Sequence, residues 1–178
     1  MSLVILGRPR LTPTNRAWID TLRSRHRGNL FAGDIGPHVT FVFPTEAATE
    51  TGATSHLATV AGEIGPLALS FRCALPVKDT LSGETYVYLV PDEGLSGLVR
   101  LHDRLYTGPF AETLRLDLPY LPHITLGRFD EPHLAKALAD DLNAQEPEIT
   151  GRLETVELFR LSGGGEPPKR LAELALRG

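Results

Sequence analysis

Two short stretches of this chain carry side chains suited to acid–base chemistry: Pro37-His38-Val39-Thr40-Phe41-Val42-Phe43 and Pro122-His123-Ile124-Thr125-Leu126-Gly127-Arg128. Each reads Pro-His-apolar-Thr-apolar. On an extended strand, residues two apart point to the same side. His38 and Thr40 therefore share one face, and Val39, Phe41 and Phe43 share the other. His123 and Thr125 likewise share a face, against Ile124 and Leu126. A polar pair backed by an apolar row suits a strand half-buried along a cleft. An imidazole with an unperturbed pKa of about 6.5 takes or gives a proton near neutrality. Two across a cleft can do both in one turnover, each role being worth ~10²–10⁴ in rate. A threonine hydroxyl beside each ring can donate a hydrogen bond to an anionic oxygen without adding charge. This set suits in-line displacement at a phosphodiester. Water enters on one side of phosphorus, and the ester oxygen leaves on the other. Neither motif holds the carboxylate that a hard ion such as magnesium wants. No metal and no cofactor are expected.

A repeated order of elements must position the motifs. Residues 3–6 read as a buried strand. Thr12-Pro13 reads as a helix start, a hydroxyl cap followed by proline, and that helix carries Trp18, Ile19 and Leu22 to about residue 27. A loop bearing Gly28, Gly33 and Gly36 leads into the first motif strand, which Pro44 closes. A second helix is predicted over about 54–64. Leu57, Val60, Ala61 and Ile64 give its i, i+3, i+4, i+7 stripe, and Gly65-Pro66 its stop. Strands over 67–75 and 85–90 follow, with a turn at Ser82-Gly83 between them. Asp92 is read as the cap of a third helix with the stripe Leu95, Leu98, Val99, His102, Leu105 and Tyr106. Gly108-Pro109 ends it, and a loop runs to Pro122 and the second motif strand. Asp130 and Pro132 open a fourth helix bearing Leu134, Leu138 and Leu142. Residues 149–161 read as one long strand, 162–168 as a turn, and 170–176 as the returning strand. Two halves, about 1–83 and 84–178, thus repeat the order strand, helix, loop, motif strand, helix, strand. The expectation is a duplicated α+β unit: residues 1–178 as a single domain of two pseudo-symmetric lobes, with a cleft between them.

The 178 residues suffice for a real core, and 42% hydrophobic with 22% charged residues is ordinary for a globular chain. A net charge of -4 leaves no global positive field to hold duplex nucleic acid. Cys73 is the one cysteine and has no partner to cross-link, which fits a reducing compartment. It lies in an apolar strand-like run and reads as core. The first residues do not read as a signal peptide, and no run of 18 apolar residues exists. A cytoplasmic monomer with no membrane contact is expected. Of the other histidines, His102 reads as core-facing, and His26, His56 and His133 as surface or helix-end residues. The basic run Arg23-Ser24-Arg25-His26-Arg27 reads as a solvated helix end favoured by the helix dipole. Tyr86, Tyr88, Tyr120 and Phe41 could stack on a base, Tyr120 being best placed. Gly163-Gly164-Gly165 reads as a hairpin tip, not a phosphate loop.

The paired Pro-His-x-Thr motifs, in a duplicated chain of this length, resemble those of the 2H phosphoesterase superfamily. More narrowly they are similar to the bacterial 2′-5′ RNA ligase-like cyclic phosphodiesterases. The resemblance covers essentially the whole chain. It implies a bilobal α+β fold, with two antiparallel sheets facing a central cleft and helices outside. It implies metal-independent hydrolysis of the 2′,3′-cyclic phosphate ends of RNA or nucleotides, with 2′-5′ RNA ligation as the reverse direction. It implies that His38 and His123 are the catalytic acid–base pair and that Thr40 and Thr125 hold the phosphate. Several members also carry an arginine after the second motif, the place of Arg128. Strand parity aims Arg128 away from His123, whereas a bulge at Gly127 would re-aim it. Two other readings stay open: a non-catalytic RNA-end or nucleotide-binding module on this fold, and a metallohydrolase using the histidines as ligands.

Overall fold

In chain order the strands and helices begin with β1 (Ser2–Gly7), β2 (Arg10–Leu11), α1 (Pro13–Arg25), β3 (Val39–Thr45) and α2 (Glu50–Glu63). There follow β4 (Leu67–Lys78), β5 (Thr85–Glu93), α3 (Leu95–Leu105), a 3-10 helix (Gly108–Thr113) and β6 (Ile124–Phe129). The chain ends with α4 (Pro132–Asn143), β7 (Ile149–Leu153), β8 (Thr155–Leu161) and β9 (Lys169–Ala175). This computed structural model describes residues 1–26, 35–80, 82–162 and 166–178. The glycine run at 163–165, most of the loop before His38, and Arg27 lie outside the described residues.

The helix starts follow from their caps. Thr12 Oγ1 accepts from the Asn15 N–H at 3.2 Å, with Pro13 opening α1. Thr49 Oγ1 accepts from the Gly52 N–H at 3.1 Å, so α2 begins a turn before its apolar stripe. That first turn buries only Ala53, which is why periodicity does not reveal it. Asp92 does not cap α3. It stays in β5, where its Oδ2 accepts from Arg72 Nη1 at 2.7 Å. Gly94 is the residue before α3 and makes no side-chain cap bond. Similarly, Glu131 and not Asp130 precedes α4, again without a side-chain cap.

Among the described residues nine strands form two antiparallel sheets, ordered β3-β1-β8-β9 and β2-β7-β4-β5-β6. The expected α+β arrangement of two antiparallel sheets with helices is what the chain adopts. Sheet membership does not follow the halves 1–83 and 84–178. β4 ends the first half yet lies beside β5, and β8 and β9 end the second half yet lie on β1's side. Residues 149–161 are accordingly two strands. The chain leaves the second sheet after Leu153, passes Glu154, and enters the first sheet at Thr155. Both pieces are extended and apolar, so the switch leaves no mark in the pattern. The strand after each motif half is thus exchanged. Separating the halves would break both the β4–β5 and β1–β8 ladders.

α2 packs on β8 and β9, and α4 packs on β4, β5 and β6. One buried apolar cluster runs from Ile5 and Phe41 in the first sheet to Phe71, Leu89 and Ile124 in the second. A smaller cluster of Val4, Leu6, Ile35 and Phe159 lies on the other face of the first sheet. Among the described residues no helix is long and apolar enough to cross a membrane.

Gly94 adopts φ +85°, and a Cβ there would lie 2.4 Å from the Ala68 carbonyl oxygen and 2.5 Å from Leu69 Cδ2. Gly94→Ala is therefore expected to cost about 2 kcal/mol or more, lowering Tm by several degrees in a thermal melt. An unchanged Tm would contradict this route into α3.

Candidate active site

Both motif strands end their sheets, β3 at one edge of the first and β6 at one edge of the second. Each carries a bulge directly after its threonine. Leu6 pairs with Thr40 but Ile5 with Val42, so β3 holds an extra residue. Tyr88 pairs with Thr125 but Val87 with Gly127, so β6 holds one at the matching place. A bulge puts two successive residues on one face and resets the alternation beyond it. Phe41 and Val42 both enter the core, at 0% exposure. Phe43 then turns to the face of His38 and Thr40 and is 49% exposed, against the expectation from simple alternation. Arg128 follows the same rule. It pairs with Tyr86, two residues from Tyr88 and Thr125, and so shares the face of His123. Its guanidinium is ion-paired to Glu84, which also accepts from Tyr86 Oη at 3.2 Å.

The two histidines are held alike. His38 Nδ1–H donates to the Gly36 carbonyl at 2.8 Å, and His123 Nδ1–H to the Leu121 carbonyl at 2.7 Å. Each acceptor lies two residues upstream, across the proline. Fixing the proton on Nδ1 leaves Nε2 with the lone pair for proton exchange. Tyr88 stacks on His123, with centroids 3.4 Å apart and planes at 14°. Burial, then Tyr86 and Asp79, pushes the Tyr88 phenol up to about 12, so it stays neutral. Thr40 and Thr125 are half-buried, and among the described residues neither hydroxyl has a hydrogen-bond partner.

Burial lowers the pKa of His38 most. The charges of Arg23 and Arg8 lower it further, while the Gly36 carbonyl and Glu157 oppose them. His123 is pushed down to about 4, first by burial and then by His38, against the Leu121 carbonyl. The second ring thus lies within the field of the first. At neutral pH both rings are uncharged. An anion between them would favour the charged form. Glu157, 1% exposed, is held by Arg8 Nε at 2.6 Å and by Arg170 Nη1 at 2.9 Å. Burial opposes its charge, but the two guanidiniums prevail and hold its carboxyl below the usual range.

His38, Thr40 and Phe43 line a pocket of about 510 Å³ with Val4, Leu6, Ile35 and Leu161. Tyr120 is not placed to stack on a base. Its ring lies on buried His102 at 3.7 Å, and its Oη–H donates to the Thr40 carbonyl at 2.9 Å. Phe41 is core, and Cys73 is half-buried in β4. Sequence reasoning missed Arg23, which is 8% exposed and donates through Nη1 to the Thr125 carbonyl at 2.5 Å. Ile19, Leu22, Arg23 and His26 fall on the i, i+3, i+4, i+7 face of α1, so the spacing carried that signal. Among the described residues no three His, Cys, Asp or Glu side chains gather as a metal site.

Residues 11–165 match the family described as the 2'-5' RNA ligase superfamily. The chain belongs to that superfamily, the LigT-like 2H phosphoesterases, a family of phosphoesterases and RNA ligases. Its fold is similar to that of TT0787 of Thermus thermophilus, with TM-score 0.64 and 21% identity over 100% of this chain and 99% of that one. It is similar to Escherichia coli LigT complexed with NADP+, with TM-score 0.57 and 20% identity over 99% and 98% of the two chains. Kluyveromyces marxianus Usb1 shares the fold at TM-score 0.54 and 12% identity, with 98% of each chain covered. No curated protein sequence matches the chain significantly.

A histidine whose pKa falls on folding binds fewer protons folded than unfolded, so stability rises with pH through that window. His123 should destabilise the fold as pH drops from about 6.5 towards about 4, by up to ~1.4 kcal/mol per pH unit. His123→Asn should flatten urea-derived stability over that range. An identical slope in the variant would contradict the neutral, buried ring.

Proposed function

We propose that the protein is a metal-independent phosphodiesterase that opens 2′,3′-cyclic phosphate ends of RNA or nucleotides. His38 and His123 exchange protons through Nε2, and Thr40 and Thr125 hold the non-bridging oxygens. One ring takes the proton of the attacking water while the other protonates the departing ester oxygen. Which does which depends on the oxygen that leaves. With an RNA 5′-hydroxyl in place of water as the nucleophile and the 3′-oxygen as the leaving group, the same two proton transfers would join RNA ends through a 2′-5′ bond.

The observation that carries this reading is the matched pair of imidazoles. Each is oriented by its own upstream carbonyl, each has its pKa lowered first by burial, and His38 adds to the lowering of His123. Two threonine hydroxyls, without protein partners among the described residues, accompany them. The apolar pocket beside His38, with exposed Phe43 at its side, offers room for the nucleoside attached to the phosphate. Escherichia coli LigT has been seen complexed with 3'-AMP, with ATP and with phosphate, ligands of the chemistry inferred for this chain. We also read residues 1–178 as one domain of two pseudo-symmetric lobes, acting as a cytoplasmic monomer without a cofactor.

The test is turnover of 2′,3′-cyclic nucleotides and short cyclic-phosphate RNAs in EDTA, with products identified by phosphorus NMR. The wild type should turn over with a bell-shaped pH–rate profile, and His38→Ala and His123→Ala should each lose ~10²–10⁴-fold in kcat/KM. Binding without turnover would favour a nucleotide-binding module. Loss of activity in EDTA would favour a metallohydrolase.

A further inference from the structure

As outer strands, β3 and β6 have edge groups with no ladder partner. Those beside the motifs are filled crosswise and at matching positions. On β3, the Thr40 carbonyl accepts from Tyr120 Oη–H at 2.9 Å, and the Phe43 N–H donates to Tyr106 Oη at 3.1 Å. On β6, the Thr125 carbonyl accepts from Arg23 Nη1–H at 2.5 Å, and the Arg128 N–H donates to the His26 carbonyl at 3.2 Å. Thr40 corresponds to Thr125, and Phe43 to Arg128. Each clamp comes from the opposite half of the chain.

The clamps differ in charge. Tyr120 holds its carbonyl with a neutral phenol, so holding a carbonyl needs no cation. Arg23 does the same task with a guanidinium that is 8% exposed, and keeping a charge out of water is costly. Its placement gives it a second use. The charges that bear on His38 are Arg23 from α1, Arg8 just after β1 and Glu157 from β8, and His38 in turn lowers His123 beside β6. Glu157 is already paired to Arg8 and Arg170. Arg23 is thus bonded to the second motif while its charge, with that of Arg8, acts on His38.

We propose that Arg23 is a positioning residue coupling the two motifs: its guanidinium fixes the strand carrying Thr125 while presenting a permanent positive charge to the imidazole of His38. This rests on reading His38 and His123 as the acid–base pair. Its charge acts on His38 in the same direction as burial, against protonation. Tyr120 supplies only the hydrogen bond.

The test compares wild type, Arg23→Gln, Arg23→Lys and Tyr120→Phe by ring NMR titration of both histidines and by kcat and KM on a 2′,3′-cyclic nucleotide. Thermal melts check folding. Arg23→Gln should move the His38 midpoint upward and lower kcat about tenfold or more, with KM changing less. Arg23→Lys should keep the wild-type midpoint and recover part of kcat. Tyr120→Phe should lower kcat and leave the His38 midpoint in place. Should Arg23→Gln not fold, the lysine and phenylalanine variants still carry the test, because both must keep the midpoint while losing rate. A wild-type midpoint in folded Arg23→Gln, wild-type kcat in both arginine variants, or a moved midpoint in Arg23→Lys would overturn the proposal. If the wild type itself does not turn over, the phosphodiesterase reading fails while the His38 midpoint still decides the role of Arg23.

Discussion

The structure depends on satisfying the bare edges of two strands. Both motif strands are outer strands, and an outer strand leaves N–H and carbonyl groups unpaired. Here those groups are bonded by side chains and a carbonyl from the other half of the chain: Tyr120 and Tyr106 for β3, and Arg23 and the His26 carbonyl for β6. Each motif is thereby positioned by the half that does not contain it. The exchange of β4 and β8 between sheets acts in the same sense, since neither half completes a sheet alone. Spacing between the motifs is set by directional bonds, and not only by apolar packing, which slides more easily.

The bulges after Thr40 and Thr125 solve a second problem. In a regular strand the next outward places after the threonines would fall at Val42 and Gly127. The extra residue sends two neighbours into the core and turns the next side chain outward, Phe43 in one strand and Arg128 in the other. The repeated geometry thus presents an aromatic ring on one side and a cation on the other. The histidines are kept neutral by burial, and His38 additionally by Arg23 and Arg8. Glu157 would favour a charged His38, but two arginines hold it. Rings held neutral in this way are charged most readily by an anion placed beside them.

Much of this is legible in the residues. The His-x-Thr spacing identifies the shared faces, and the recurrence in each half points to duplication. His102 reads as core-facing and is buried. What the pattern does not carry depends on contacts far apart in sequence. Bulges come from pairing with β1 and β5, so alternation alone misplaces Phe43 and leaves Arg128 open. The break at Glu154 is a change of sheet between two extended segments, with no proline or glycine at the junction to mark it. Asp92 looks like a cap but is drawn into β5 by Arg72. Arg23 reads by its type as solvated, although its helical position puts it on the buried face.

We propose that two imidazoles from distant motifs serve one anion-sized gap. Inorganic phosphate titrated into the protein, with the His38 and His123 ring signals followed by NMR, tests it most directly. One phosphate per chain should move both rings along a single binding curve and raise both midpoints. Response of only one ring, or two curves with separate affinities, would contradict it.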